Sequence, residues 1–234
     1  MNPIPVQAAI FDAAGTLIHL RDPVGVGYSR VARRHGFSLE PGAAEIAFRA
    51  AWESMPRFGS GEPDSGGHGD GSERSWWRRL VFQVLEAAAP GRCLEPDAYF
   101  EELFAEYAKP ELWCPFPETV TTLDALAARR LRLFVLSNFD SRLLPILGGH
   151  GLLPYFEEVF YSGATGQAKP SREAFGHAVD RIGLAASQCL HIGDDPVADW
   201  QGARCAGLQV FELDRSRTDL SMLLELPNLP DFSD

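Results

Sequence analysis

Five short apolar runs, the first four closed by a polar residue, set the strongest limit on how this chain folds: Val6–Asp12, Leu131–Ser137, Glu158–Ser162, Cys189–Asp194 and Leu208–Leu213. Runs of this length, nearly continuous in apolar residues, fit strands buried on both faces, as in a parallel sheet. Helical patterns separate the later runs. Thr119–Arg130 is apolar at Val120, Leu123, Leu126 and Ala127. Arg172–Ile182 opens after Pro170 and stops at Gly183, and Val197–Ala206 opens after Pro196 and stops at Gly207, the start and stop signals of helices. This alternation predicts βαβ units and an α/β, Rossmann-like, doubly wound parallel sheet.

The first run is not followed by a second strand. From His19 to Trp113 the periodicity is helical, with candidate helices at Val24–His35, Gly42–Met55, Glu73–Ala89 and Asp97–Ala108 and no convincing strand. A helical block interrupting the pattern after strand one predicts an inserted unit over the carboxyl edge of the sheet. The chain then divides into a core of residues 1–18 and 114–234 and a helical cap of residues 19–113, with hinges at Leu17–Leu20 and Leu112–Phe116. Within the cap, Gly59–Ser72 holds six glycines in 14 residues and reads as a flexible loop.

Charge removes several partners. With 21 Lys and Arg against 32 Asp and Glu, the net charge is −11. Non-specific nucleic-acid affinity comes from cations on phosphates, so this balance speaks against it, and it disfavours anionic membrane surfaces too. No run reaches the roughly 18–20 apolar residues of a membrane span. The start, MNPIPVQAAIFD, lacks the basic and apolar regions of a signal peptide. Cys93, Cys114, Cys189 and Cys205 are widely spaced, do not fit zinc, and read as reduced thiols of a cytoplasmic protein. Nineteen of the 21 basic residues are Arg; the two lysines are Lys109 and Lys169.

Open α/β sheets bind ligands beyond the carboxyl ends of their strands. The first run ends at Asp12, the second at Ser137-Asn138, a later loop holds Lys169 in GQAKP, and the HIGDD run ends at Asp194-Asp195 with Asp199 on the next turn. Four tips therefore bring carboxylates, a hydroxyl with an amide, and an ammonium to one crevice.

These motifs in this order, DAAGT, SN, KP and GDD with an acid five residues after Asp194, resemble the haloacid dehalogenase-like (HAD) hydrolase superfamily, and the helical insertion resembles its C1 cap. The stretches TLIHLRDPVGVGY, SERSWWRRL, LRLFVLSNFDSRLLPILGGHGL and HIGDDPVADWQGARCAGL resemble more closely the haloacid dehalogenase-like hydrolase domain-containing protein 3, or rhythmically-expressed-gene-2-like, group. The resemblance implies Asp12 as a nucleophile that forms an aspartyl-phosphate, and Mg²⁺ held by Asp12, the Ala14 backbone carbonyl and Asp194. It implies that Ser137, Asn138 and Lys169 bind phosphoryl oxygens, with Lys169 offsetting charge in catalysis and Asp199 orienting it. Asp195 reads either as a supporting acid or as a helix N-cap before Pro196. The partner so implied is a small phosphorylated molecule.

The pattern breaks at Ala14. Phosphatases of the superfamily carry there a second Asp that protonates the leaving group, work worth ~10²–10⁴-fold. Three readings follow. One is a Mg²⁺-dependent phosphatase whose missing acid is replaced by His19, Asp140 or His68, or is not needed because the leaving group is acidic. His19 also reads as a hinge residue, His68 as solvated, and Asp140 as a helix N-cap. A second is a 2-haloacid dehalogenase, because DAAGT is close to DAYGT and halide leaves without a proton. The acidic Asp194-Asp195 tip speaks against it, as does the exposed-face pattern of Arg30, Arg33 and Arg34. A third is a non-catalytic phosphate-binding protein, with Trp76-Trp77 before Arg78-Arg79 either as a partner surface or packed inside the cap.

Overall fold

β1 (Ala8–Phe11) is apolar and buried at every position, as a strand flanked on both edges and covered on both faces must be. In the computed structural model, which describes residues 4–56 and 70–230, the chain leaves β1 through the DAAGT turn into β2 (Ile18–Leu20). Four helices follow: α1 (Val24–Arg34), α2 (Pro41–Ser54), α3 (Asp70–Ala88) and α4 (Pro96–Glu106). β3 (Trp113–Pro115) returns antiparallel to β2, so a two-stranded ribbon carries both crossings. This ribbon is absent from the sequence reading, which placed only hinges there.

The rest alternates as expected: α5 (Thr119–Ala128), β4 (Arg132–Ser137), α6 (Leu143–Gly149), β5 (Glu158–Tyr161), a single turn α7 (Ser162–Thr165), α8 (Arg172–Ile182), β6 (Cys189–Gly193), α9 (Gly202–Cys205) and β7 (Gln209–Glu212). The helix expected over Val197–Ala206 differs. It begins as a π-helical turn, Pro196–Gln201, before α9. The Trp200 N–H reaches back to the Asp195 carbonyl at 3.2 Å, and the Trp200 indole donates to the Gly193 carbonyl at 2.8 Å. These bonds widen the turn, as often happens beside functional sites.

The main sheet has the order β5-β4-β1-β6-β7, and all four pairings are parallel. Strand periodicity sorts its side chains. Ala9, Phe11, Leu133, Val135, Leu190 and Ile192 enter one apolar cluster, while Ala8, Ile10, Phe134, Leu136 and Cys189 enter another on the opposite face. Each fully buried Leu, Ile or Phe here contributes ~1.5–3 kcal/mol. A third cluster, including Tyr28, Val31, Leu80, Val84, Tyr99 and Leu103, comes wholly from α1–α4 and the segments joining them. Helix ends follow local chemistry. Ser171 caps α8 by accepting from the Ala174 N–H at 3.2 Å, and Glu40 caps α2 by accepting from Ala43 at 2.7 Å.

The sheet order decides where chemistry collects. β4, β1 and β6 are neighbours, so Ser137, Asp12 and Asp194 lie side by side at their carboxyl ends. All four cysteines are free thiols. Among the described residues no helix is long and apolar enough to cross a membrane.

Candidate active site

Asp12 follows β1, and its main-chain N–H bonds the Ile192 carbonyl at 2.8 Å, which ties the tip to β6. The chain then turns sharply. Gly15 has φ of 92°, and a Cβ there would collide with the Asp194 carboxylate. Glycine thus lets the motif-one loop and the β6 tip approach each other. Arg215, beyond β7, holds the same loop: its Nε donates to the Gly15 carbonyl at 3.1 Å, and it also bonds the Thr16 carbonyl and Glu118.

Lys169 is the hub. It is 2% exposed, and its Nζ donates to Asp12 Oδ1 at 2.7 Å and to Asp199 Oδ1 at 2.5 Å. Ser137 Oγ also donates to Asp12 Oδ1, at 3.0 Å. Both donors take the same oxygen, and neither bonds Oδ2. Asp199 tucks beneath Gly193, where a Cβ would overlap it. Its Oδ1 also accepts from His191 Nε2 at 2.8 Å, and its Oδ2 from the Asp195 N–H at 3.0 Å.

The electrostatics follow from burial. Burial pushes the Asp12 carboxyl up to about 6; Lys169 pulls against it, and Asp199 and Asp194 add to the rise. Burial, with Asp199, also holds Asp194 above the usual carboxylate range. Burial works to raise Asp199 as well, but Lys169 and His191 outweigh it and hold it low. For Lys169 burial favours the neutral amine, yet Asp12 and Asp199 outweigh it and keep the ammonium. Burial holds His191 below its ordinary value, as a neutral ring donating to Asp199. Asp12, Asp194 and Asp199 each offer an oxygen, all within 4.8 Å of one another.

The structure therefore brings Asp12, Ser137, Lys169, Asp194 and Asp199 into one cluster. Asn138 does something the sequence reading did not anticipate, and Asp195 takes one of its two expected parts. Asn138, anticipated as a phosphoryl donor, clasps the lysine loop: Nδ2 donates one N–H to the Lys169 carbonyl at 2.8 Å and Oδ1 accepts from the Lys169 N–H at 2.7 Å. It positions the lysine loop. Asp195 acts as the N-cap, with Oδ1 accepting from Val197 and Ala198, both at 2.8 Å. Ala14 lines the crevice, and its carbonyl accepts no hydrogen bond among the described residues.

Of the candidate replacement acids, Asp140 is fully buried and ion-paired to Arg142, so it holds no free proton site. His19 lines the crevice, with Nδ1 2.8 Å from the Leu20 carbonyl and its ring 4.7 Å from that of Phe116. His68 lies outside the described residues. Arg30 and Arg34 are engaged with Glu106 at 3.5 and 2.9 Å, and Arg33 with Ser29 at 3.3 Å, away from the crevice. Trp76 and Trp77 form no outer surface patch: both line the crevice, and Trp76 is 5% exposed.

Three contributors escape a linear reading. His191 is visible as the first residue of HIGDD, but its bond to Asp199 depends on the π-helical turn. Thr16, whose Oγ donates to Asp194 Oδ1 at 3.3 Å, and Arg215 belong to the same class.

Comparisons bear on this geometry. A family model for haloacid dehalogenase-like hydrolases matches residues 6–207. The chain is 34% identical over 212 residues to haloacid dehalogenase-like hydrolase domain-containing protein 3 of Homo sapiens, across 89% of this chain and 82% of the human one. Its fold is similar to that of a HAD phosphatase from Thermococcus onnurineus, with 20% identity, a TM-score of 0.68, and coverage of 97% of this chain and 100% of that one. It is similar also to an L-2-haloacid dehalogenase, with 24% identity, a TM-score of 0.71, and coverage of 94% and 98%. With strand-end motifs, sheet order and sequence similarity in agreement, the chain belongs to the haloacid dehalogenase-like hydrolase family.

Proposed function

We propose that this chain is a Mg²⁺-dependent hydrolase of the phosphatase type, in which Asp12 attacks a small phosphomonoester and carries an aspartyl-phosphate that water cleaves. The observation that carries the reading is a charge imbalance. Three carboxylates, Asp12, Asp194 and Asp199, cluster within 4.8 Å around one buried ammonium, that of Lys169. A hard divalent cation with oxygen ligands balances such a set. Asp199 already accepts from Lys169, His191 and the Asp195 N–H, so the residues that would hold the ion are Asp12, Asp194 and the Ala14 carbonyl. Bound there, Mg²⁺ supplies positive charge that offsets the repulsion between Asp12 and an anionic ester.

The chain's own groups do the rest. Lys169 and Ser137 hold Asp12 by Oδ1, so Oδ2 is the attacking oxygen. Its lone pair forms the bond to phosphorus as the ester P–O bond breaks and that electron pair leaves with the alcohol oxygen. The Lys169 ammonium stabilises charge on the transferring group. Asn138 fixes the main chain of Lys169, and Asp199 and His191 fix its ammonium. Water then attacks phosphorus and the P–Oδ2 bond breaks, regenerating the carboxylate. His19, with Nδ1–H directed at the Leu20 carbonyl, has Nε2 free to take the water's proton. In this reading residues 19–113 form the cap, residues 1–18 and 114–234 the core, and the cap closes over the crevice.

Ala14 favours a second reading, because a methyl group offers no proton and halide departs without one; the site would then displace halide from a 2-haloacid. One panel separates the two: phosphate release from p-nitrophenyl phosphate with Mg²⁺ or EDTA, beside halide release from 2-chloropropionate. Phosphate release abolished by EDTA and by Asp12→Asn supports the phosphatase reading. Halide release indifferent to EDTA replaces it with the dehalogenase. Turnover of neither substrate, with Mg²⁺-dependent vanadate binding retained, reduces the protein to a binding role.

A further inference from the structure

We propose that the substrate of this site is an aryl phosphomonoester, whose ring occupies an aromatic chamber above Asp12 and whose phenolate leaves unprotonated. The assignment rests on the phosphatase reading above, and three separate observations converge on it.

The first is the wall. A cavity of about 530 Å³ rises from Asp12, Ser137, Lys169 and Asp194 into the helical unit. This is ample for a mono- or bicyclic ring. Its upper lining includes Phe48, Trp52, Trp76, Trp77 and Phe104. The rings pack on one another, with centroids 5.7 Å apart for Trp52 and Trp76, 5.1 Å for Trp76 and Trp77, and 5.9 Å for Phe48 and Trp52. Faces and edges presented this way suit another aromatic ring. Arg142 adds to the surface: its guanidinium lies 3.9 Å from the Phe104 ring centroid and 4.8 Å from that of Trp77, with its charge balanced by Asp140.

The second is what the wall does not offer. A sugar or polyol phosphate needs a partner for each hydroxyl that it brings out of water. Among the described residues, several of the wall's polar side chains are already engaged within the protein. The Trp76 indole donates to the Pro56 carbonyl at 2.8 Å, Trp113 to the Tyr107 carbonyl at 3.1 Å, and the Tyr107 hydroxyl to the Val24 carbonyl at 2.8 Å. Arg142 Nε is held by Asp140 at 2.8 Å.

The third is the leaving group. Where the family resemblance places an acid, Ala14 presents a methyl group and the nearby Asp140 carboxylate is ion-paired; His19, whose Nδ1–H is spent on the Leu20 carbonyl, turns an accepting Nε2 to the crevice. An alkoxide leaves poorly without a proton. A phenolate delocalises the electron pair it takes from the breaking P–O bond into its ring. Asp12 Oδ2 gains the phosphoryl group, the aryl oxygen leaves with the electron pair, and water later supplies hydroxyl to phosphorus, so atoms and charge balance.

The test is a kcat/KM series at saturating Mg²⁺: 1-naphthyl phosphate, phenyl phosphate, cyclohexyl phosphate as the saturated match of phenyl, and glycerol 3-phosphate. The aryl esters are expected to exceed the alkyl esters by ~10²–10⁴-fold, the usual worth of the missing acid. Ala14→Asp, which restores an acid, is expected to raise the alkyl rates at least tenfold and narrow the gap. Trp52→Ala, at a residue 49% exposed, is expected to raise KM for 1-naphthyl phosphate by about two- to tenfold while inhibition by inorganic phosphate stays the same. Cyclohexyl phosphate turned over as well as phenyl phosphate, or glycerol 3-phosphate as well as 1-naphthyl phosphate, overturns the aryl assignment and leaves the phosphatase reading standing. Absence of phosphate release from all four overturns both.

Discussion

Replacing Asp12 with Asn is expected to make the metal-free protein more stable at pH 7, although it removes the ion pair with Lys169. The folded chain holds the Asp12 proton up to about pH 6, against an ordinary value of 3.8, because burial outweighs the pull of Lys169. The folded state therefore binds this proton more tightly than the unfolded chain does. Stability falls as pH rises from about 4 to 6, and the full cost is present above that window. Roughly two pH units at about 1.36 kcal/mol each amount to ~3 kcal/mol. Below pH 4 the protonated acid and Asn are close isosteres, so the two proteins should be similar there. His191 acts in the opposite sense: burial depresses its value, which costs stability as pH falls below 6.5. Asp194, raised by burial, acts in the sense of Asp12. Both groups are common to the two proteins, so their effects largely cancel in the difference. The assay is urea unfolding in EDTA at half-unit steps from pH 4 to 8. Its expected signature is a gap that opens through pH 4–6 and then stays constant. Mg²⁺ at a hundredfold excess over its Kd should return ~2.7 kcal/mol to the native protein and much less to the variant. Two parallel stability curves across this range would refute the claim that Asp12 ionises at a cost in the folded core.

Further outcomes follow from single contacts. Lys169→Met removes the donor shared by Asp12 and Asp199 and should lower kcat for phosphate release by ~10²–10³-fold, read with p-nitrophenyl phosphate. Gly15→Ala must place a Cβ at φ of 92° and against the Asp194 carboxylate; a loss of at least ~1–3 kcal/mol in urea unfolding is expected, and a neutral result would show that the loop relaxes freely. His19→Gln should slow the second half-reaction by ~10²-fold while sparing the first, so that p-nitrophenolate appears as a burst of one per site. Equal loss in both phases would assign His19 a different part.

What the sequence made legible follows from where local chemistry suffices. Strands buried on both faces appear as unbroken apolar runs, so β1, β4, β5, β6 and β7 lie within one or two residues of their expected bounds. α8 carries its own cap and stop, and its bounds match the expected ones. The ribbon of β2 and β3 was not legible. Each strand has three residues, and its pairing joins positions more than 90 residues apart, with no periodicity to announce it. Strand-end logic foretold that Asp12, Ser137, Lys169 and Asp194 meet. The commitment of Asn138 to the Lys169 main chain depends on a loop path that no spacing encodes. The aromatic chamber was hidden for a related reason. Trp76 and Trp77 are adjacent in sequence, and only the packing of α3 against α2 and α4 turns both toward Asp12.

Burial of Lys169 gives this molecule an internal chemical probe. Besides the terminal amine, its only two primary amines are those of Lys109, whose side chain is 54% exposed, and Lys169, which is 2% exposed and held as an ammonium by two carboxylates. An acylating reagent therefore labels Lys109 at once and labels Lys169 only in molecules whose buried seam around Asp12 and Asp199 has opened. The mass increment at Lys169 counts those openings, and its dependence on added Mg²⁺ or vanadate reports how firmly each closes the site, without any substrate being turned over.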